Sequence, residues 1–92
     1  MIVSFHHKGL RRLFEAGDHR GIIPHHVEKI ENILGLLHVA EKIADMDVPT
    51  FRLHPLKGDM KDMWAVTVRA SWRIVFRFVD GDACDVNLTD YH

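Results

Sequence analysis

Ninety-two residues, 47% hydrophobic and 27% charged, suffice for one domain around one modest core and leave no room for a second. A lone Cys84 excludes an internal disulfide and a cysteine-built metal site, and makes a reducing, cytoplasmic compartment the expectation. The formal net charge of −1 argues against a protein that grips nucleic acid by bulk charge, and no window approaches the roughly 18–20 apolar residues of a membrane span.

The charge is segregated along the chain. Residues 51–79 carry six lysines and arginines against two aspartates, whereas residues 80–92 carry four aspartates and no lysine or arginine. The local field, not the sum, decides whether an anion is attracted. The opening MIVSFHHKG is too short an apolar run for a signal peptide.

Ile2, Val3 and Phe5 predict a short strand. From Lys8 to Glu15, Leu10, Leu13 and Phe14 stand at helical spacing, and Gly17 is a C-terminal stop. Pro24 suits the first turn of a second helix. Its apolar face is Val27, Ile30, Leu34 and Leu37, widened by Ile33, Leu36, Ala40 and Ile43, so the pattern predicts a helix from Pro24 to about Ala44. Asp45, Asp47 and Pro49 end it.

Phe51–Leu53 reads as a short extended piece broken by His54-Pro55, because the residue before proline leaves the helical region. Gly58-Asp59 is a turn. Three alternating runs follow: Trp64, Val66, Val68; then Trp72, Ile74, Phe76, Phe78; then Cys84, Val86, Leu88. A two-residue Asp80-Gly81 turn would oppose Phe76 and Asp85. A three-residue Val79-Asp80-Gly81 loop instead pairs Phe76 with Cys84 and Ile74 with Val86, and is preferred for keeping a carboxylate off the apolar face. The same parity favours Arg69-Ala70-Ser71 for the preceding turn. The opposite face then carries Thr67, Arg73, Val75, Arg77, Asp85, Asn87 and Thr89. The expected fold is α+β: an N-terminal strand and two helices on one face of a small antiparallel sheet, in the order β-α-α-β-β-β, as a single domain over residues 1–92.

The segments LHPLKGD and WAVTVRASWRIVFRF, a chain ending in DYH, and the opening MIVSFHHKGL together resemble the HigB-type toxins of bacterial type II toxin–antitoxin systems, within the RelE/ParE superfamily. The resemblance covers nearly the whole chain. It implies an endoribonuclease that cuts messenger RNA on the translating ribosome without a cofactor. It also implies neutralisation by a helix-turn-helix antitoxin of the HigA type, with operator DNA reached only through that antitoxin and no membrane partner. The site it implies is His54, Lys57, Arg73, Asp90, Tyr91 and His92. One departure is Ser71, where asparagine would better suit a left-handed turn position.

The residue types fit that chemistry. Metal-independent RNA cleavage uses the substrate 2′-OH as nucleophile, so it needs a group to take that proton, another to protonate the leaving 5′-oxygen, and cations for the phosphorane. His54 and His92 suit the proton transfers. Lys57 and Arg73 suit the phosphate, Arg73 by a bidentate grip. Tyr91 can stack on a base, and Asp90 can orient an imidazole. The bland readings are a backbone-bonded loop histidine, a solvated lysine, an Arg73–Asp85 cross-strand pair and an inert terminus. His6-His7 and His25-His26 read as solvated surface, since adjacent residues on a helix point about 100° apart. Two other functions compete: a ParE-like inhibitor of DNA gyrase, and a non-catalytic partner-binding module.

Overall fold

In the computed structural model, which describes residues 1–91, two helices pack on one face of a four-stranded antiparallel sheet. Helix α1 spans Lys8–Ala16 and α2 spans Val27–Val39. The strands are β1 (His54–Pro55), β2 (Met63–Arg69), β3 (Trp72–Val79) and β4 (Asp82–Asp90), hydrogen-bonded in that order. The core lies between helices and sheet. Leu10, Ile30, Ile33, Leu37, Val66, Ile74, Phe76 and Val86 are all fully buried there.

α1 is delimited by its own chemistry. His7 is the N-cap, its Nδ1 accepting the Leu10 N–H at 3.1 Å. Gly17 ends the helix at φ 67°, its N–H bonding the Leu13 carbonyl while the Asp18 N–H returns to Arg12. Only glycine enters that left-handed conformation without cost.

His7 is therefore half-buried and bonded, not solvated. An accepting Nδ1 requires the neutral ring. Burial first, and then the neighbouring His6, hold its pKa below the usual value. A histidine with a depressed folded pKa contributes stability that is complete above about pH 6.5 and fades as the pH falls through the folded value. His7→Asn keeps a good cap without a titrating group. This variant is expected to lose less stability than the native protein between about pH 7 and pH 5, in urea melts at each pH.

Helix α2 ends earlier than its apolar stripe suggests. Residues 24–26 form a 3-10 turn, and the chain leaves the helix at Ala40, which is extended. The Asp45 carboxylate accepts the Glu41 and Lys42 N–H groups and starts a separate 3-10 turn, Ile43–Met46. Ile43 thus packs on the core from a turn, at a spacing that only mimicked helix.

Three further differences concern the sheet. His54-Pro55 forms the edge strand itself, with His54 opposite Ala65 and Pro55 opposite Trp64. An edge tolerates proline because no ladder bond needs its missing N–H. Phe51 instead closes a 3-10 turn. The N-terminal residues form two isolated parallel bridges, Ile2 to Ala83 and Phe5 to Val86, that cover the free edge of β4.

The β3–β4 connection is the two-residue Asp80-Gly81 turn, both at positive φ, with Val79 opposite Asp82 and Arg77 opposite Cys84. The parity problem is solved by a β-bulge. Asp85 and Val86 together face Phe76, after which Val75 opposes Asn87 and Ile74 opposes Leu88. Asp85 adopts φ 55° and its N–H donates to Ser4 Oγ at 2.8 Å. Ala83 and Val86 are consequently both in the core, and Cys84 turns to the other face. The β2–β3 hairpin also contains a bulge. Arg69 opposes Trp72, while Val66 opposes Ile74 and Trp64 opposes Phe76 as the alternation required. The left-handed residue in that turn is Ala70 (φ 50°), not Ser71.

Candidate active site

Cross-strand partners point to the same face of a sheet, so the register alone sorts the predicted site residues. One row across the face away from the core is His54, Ala65, Val75 and Asn87. The next row toward the β2–β3 turn is Thr67, Arg73 and Thr89. His54 and Arg73 therefore share the open face on adjacent rows. Their backbones are about 10 Å apart across the strands and about 7 Å along them.

His54 is half-buried, and its Nδ1 lies 2.9 Å from the Arg52 carbonyl. A carbonyl can only accept, so Nδ1 carries a proton, and in the neutral ring the lone pair is on Nε2. The ring is thus fixed in the tautomer that suits a base. Arg52 adopts φ 51° to present that carbonyl.

Arg73 bonds through Nη1 to the carbonyls of Ala70 and, at 3.1 Å, Trp72. These two contacts hold the guanidinium beside the β2–β3 turn. Thr67 and Thr89 stand opposite it, and no ion pair forms at Arg73 among the described residues. The Arg73–Asp85 cross-strand pair is therefore not made. Arg77, opposite Met63 and Cys84, is exposed on the same face.

Lys57 is exposed where the chain leaves the edge of the sheet, after Leu56 has bonded back to Met63. The loop it begins folds over the open face, where Met60 lines a hollow with His6, Met63, Val75, Asp85 and Asn87. No hydrogen bond joins Lys57 to His54 or Arg73 among the described residues.

The chain end is tied to the β2–β3 turn. Asp90 opposes Trp72 and so lies on the helix side, where it accepts a hydrogen bond from Ser71 Oγ. The Tyr91 N–H donates to the Ser71 carbonyl at 2.9 Å, and the Tyr91 side chain is exposed. Ser71 thus ties both residues to the start of β3, one position from Trp72 and two from Arg73. Sequence reasoning treated Ser71 only as a turn residue. The available signal was its place beside Trp72, whose strand pairs with the chain end. His92 lies outside the described residues.

The second unforeseen residue is His26. It is 6% exposed and packs edge-on to Trp72 at 5.8 Å between ring centres. It belongs to a buried junction, not to solvated surface as the adjacent-histidine reading held.

Residues 3–92 match the sequence pattern of a family described as RelE-like toxins of the type II toxin–antitoxin system HigB. Among curated proteins, the chain is 46% identical over 92 residues to Endoribonuclease HigB of Proteus vulgaris, covering all of both chains. It is 28% identical over 90 residues to Toxin HigB-1 of Vibrio cholerae serotype O1, covering 96% of this chain and 95% of that one.

Proposed function

Because the chain belongs to the HigB-like family of RelE-like toxins of type II toxin–antitoxin systems, we propose that it is an endoribonuclease that cuts messenger RNA on the translating ribosome. The observation that carries this reading is the placing of His54, with Nδ1 tied to the Arg52 carbonyl, on one face with an arginine that forms no ion pair among the described residues.

His54 Nε2 takes the proton of a 2′-OH as the 2′-oxygen attacks the adjacent phosphorus. Arg73, and Lys57 from its loop, stabilise the charge on the phosphorane oxygens. The bond to the 5′-oxygen then breaks, and the leaving oxygen takes a proton from an imidazolium, for which His92 is the candidate. The products are a 2′,3′-cyclic phosphate and a 5′-hydroxyl. Tyr91 orients the base by stacking, and Asp90 holds the chain end through Ser71. No step calls for a cofactor.

A type II toxin has an antitoxin partner. We assign it to the helix-turn-helix HigA type, with operator DNA contacted through it. The working compartment is the cytoplasm, where ribosomes are. No helix of the described residues is long and apolar enough to cross a membrane.

Ribosome dependence follows from size. A 92-residue chain offers little surface to grip and bend RNA, so the ribosome must present the strand. Purified protein is expected to cut an mRNA in a translating extract and to leave the same RNA intact when naked. Rapid cutting of naked RNA at equal protein concentration would refute the dependence.

A further inference from the structure

Among the described residues, His26 is the one polar or charged residue in the fully buried set, at 6% exposure. Its Nδ1 is buried and has no hydrogen-bond partner among the described residues. An orphaned buried nitrogen is uncommon in a folded protein and calls for an explanation. Packing alone does not supply one, because a leucine or phenylalanine fills such a position without leaving a polar atom unsatisfied.

The surroundings of His26 are those of the site. Its ring stands edge-on to Trp72. Trp72 precedes Arg73 and opposes Asp90 across β3 and β4. Three charged or titratable groups act on the imidazole: Arg69 at the end of β2, His25 on its own turn, and Asp90 at the end of β4. Burial contributes most and, with Arg69 and His25, pushes the pKa down, while Asp90 alone favours the charged ring. At neutral pH the ring is therefore neutral and poised against a carboxylate of the site.

We propose that His26 is a positioning residue of the cleavage site, holding Trp72 and the Asp90 end of β4 in place as a neutral ring and disengaging them when it takes up a proton. As an imidazolium it is drawn to Asp90 and disfavoured by its burial and by Arg69. The Ser71–Asp90 tie then competes with a new partner, and the chain end loses its fixed position behind Arg73. The functional half of this inference rests on the endonuclease reading; the coupling of His26 to Asp90 does not.

Two measurements separate those parts. The first is the NMR titration of the His26 ring in the native protein and in Asp90→Asn. Removing the carboxylate removes what favours the charged form, so the His26 midpoint is expected to fall further in Asp90→Asn. Superimposable titrations would overturn the proposal, whatever the protein does to RNA. The second is single-turnover cleavage on mRNA-programmed ribosomes between about pH 7.5 and pH 5.5, comparing the native protein with His26→Phe, which keeps an edge-on aromatic contact but cannot titrate. The native rate constant is expected to fall about tenfold more than that of His26→Phe as the pH is lowered, with KM unaltered, since binding is not what the residue controls. Parallel pH profiles overturn a proton-linked role. If no form cuts RNA at any pH, the endonuclease reading fails and the titration result still stands. Thermal melts of His26→Phe confirm which pH values compare folded protein.

Discussion

His54→Ala is expected to lower ribosome-dependent cleavage by about 10²- to 10⁴-fold, and Arg73→Ala by about 10²- to 10³-fold, with both proteins folded. Each side chain projects from the open face, away from the helices, so neither truncation opens a cavity in the core. His54 loses the only nitrogen that the Arg52 carbonyl has set up as a base. Arg73 loses the donors that its two carbonyl contacts hold beside the β2–β3 turn. Arg73→Lys is the informative control. Lysine keeps the charge but not the planar fork, so partial recovery separates charge from geometry. The measurement is the cleavage rate in a translating extract together with a thermal melt of each variant. If Arg73→Ala unfolds the protein, the arginine is a structural clamp on the turn and leaves the mechanism. If His54→Ala cuts at the native rate, proton removal belongs to another group.

The largest effect on stability is expected at a residue that the alternating pattern placed on the wrong face. Ala83 is fully buried and Cys84 lies opposite exposed Arg77, because the bulge at Asp85-Val86 shifts the parity of β4. Ala83→Asp forces an unpaired carboxylate into the core between sheet and helices, a penalty of several kcal/mol. A domain of this size has about 5–15 kcal/mol in total, so this variant should be largely unfolded or close to it. Cys84→Asp, one residue along, places the same group beside Arg77 and should change stability by no more than about 1 kcal/mol. Urea denaturation of the two variants reads the difference directly. A three-residue loop without the bulge puts Cys84 in the core and Ala83 outside, and predicts the reverse order. The experiment therefore decides the register as well as the energy.

Much of the fold is legible because local physics dictates it. Leu10, Leu13 and Gly17 define α1 by spacing and by a left-handed stop, and both act within a few residues. The apolar alternation of Trp64, Val66, Ile74 and Phe76 fixes which face of the central hairpin meets the helices, because period two leaves no other choice. Arg73 falls on the opposite face for the same reason. Sequence resemblance added what periodicity lacks: which loop histidine and which strand arginine to single out.

What remained depends on pairing between distant segments. The Asp85 bulge exists because the N-terminal segment lies along β4 and Ser4 Oγ receives the Asp85 N–H across 81 positions. No window around Asp85 contains that partner. His54-Pro55 becomes a strand only because β2 offers an edge to it. Asp90 stands opposite Trp72 because the bulge in β3–β4 sets the register of the last part of β4. His26 is buried because the 3-10 turn ahead of α2 is pressed against that same tryptophan. The sequence by itself determined the two helices, the three main strands and the apolar face of the central hairpin. The tertiary structure alone decided the bulge in β4, the edge strand at His54-Pro55 and which histidines are buried, since burial and register are properties of contacts far apart in the chain.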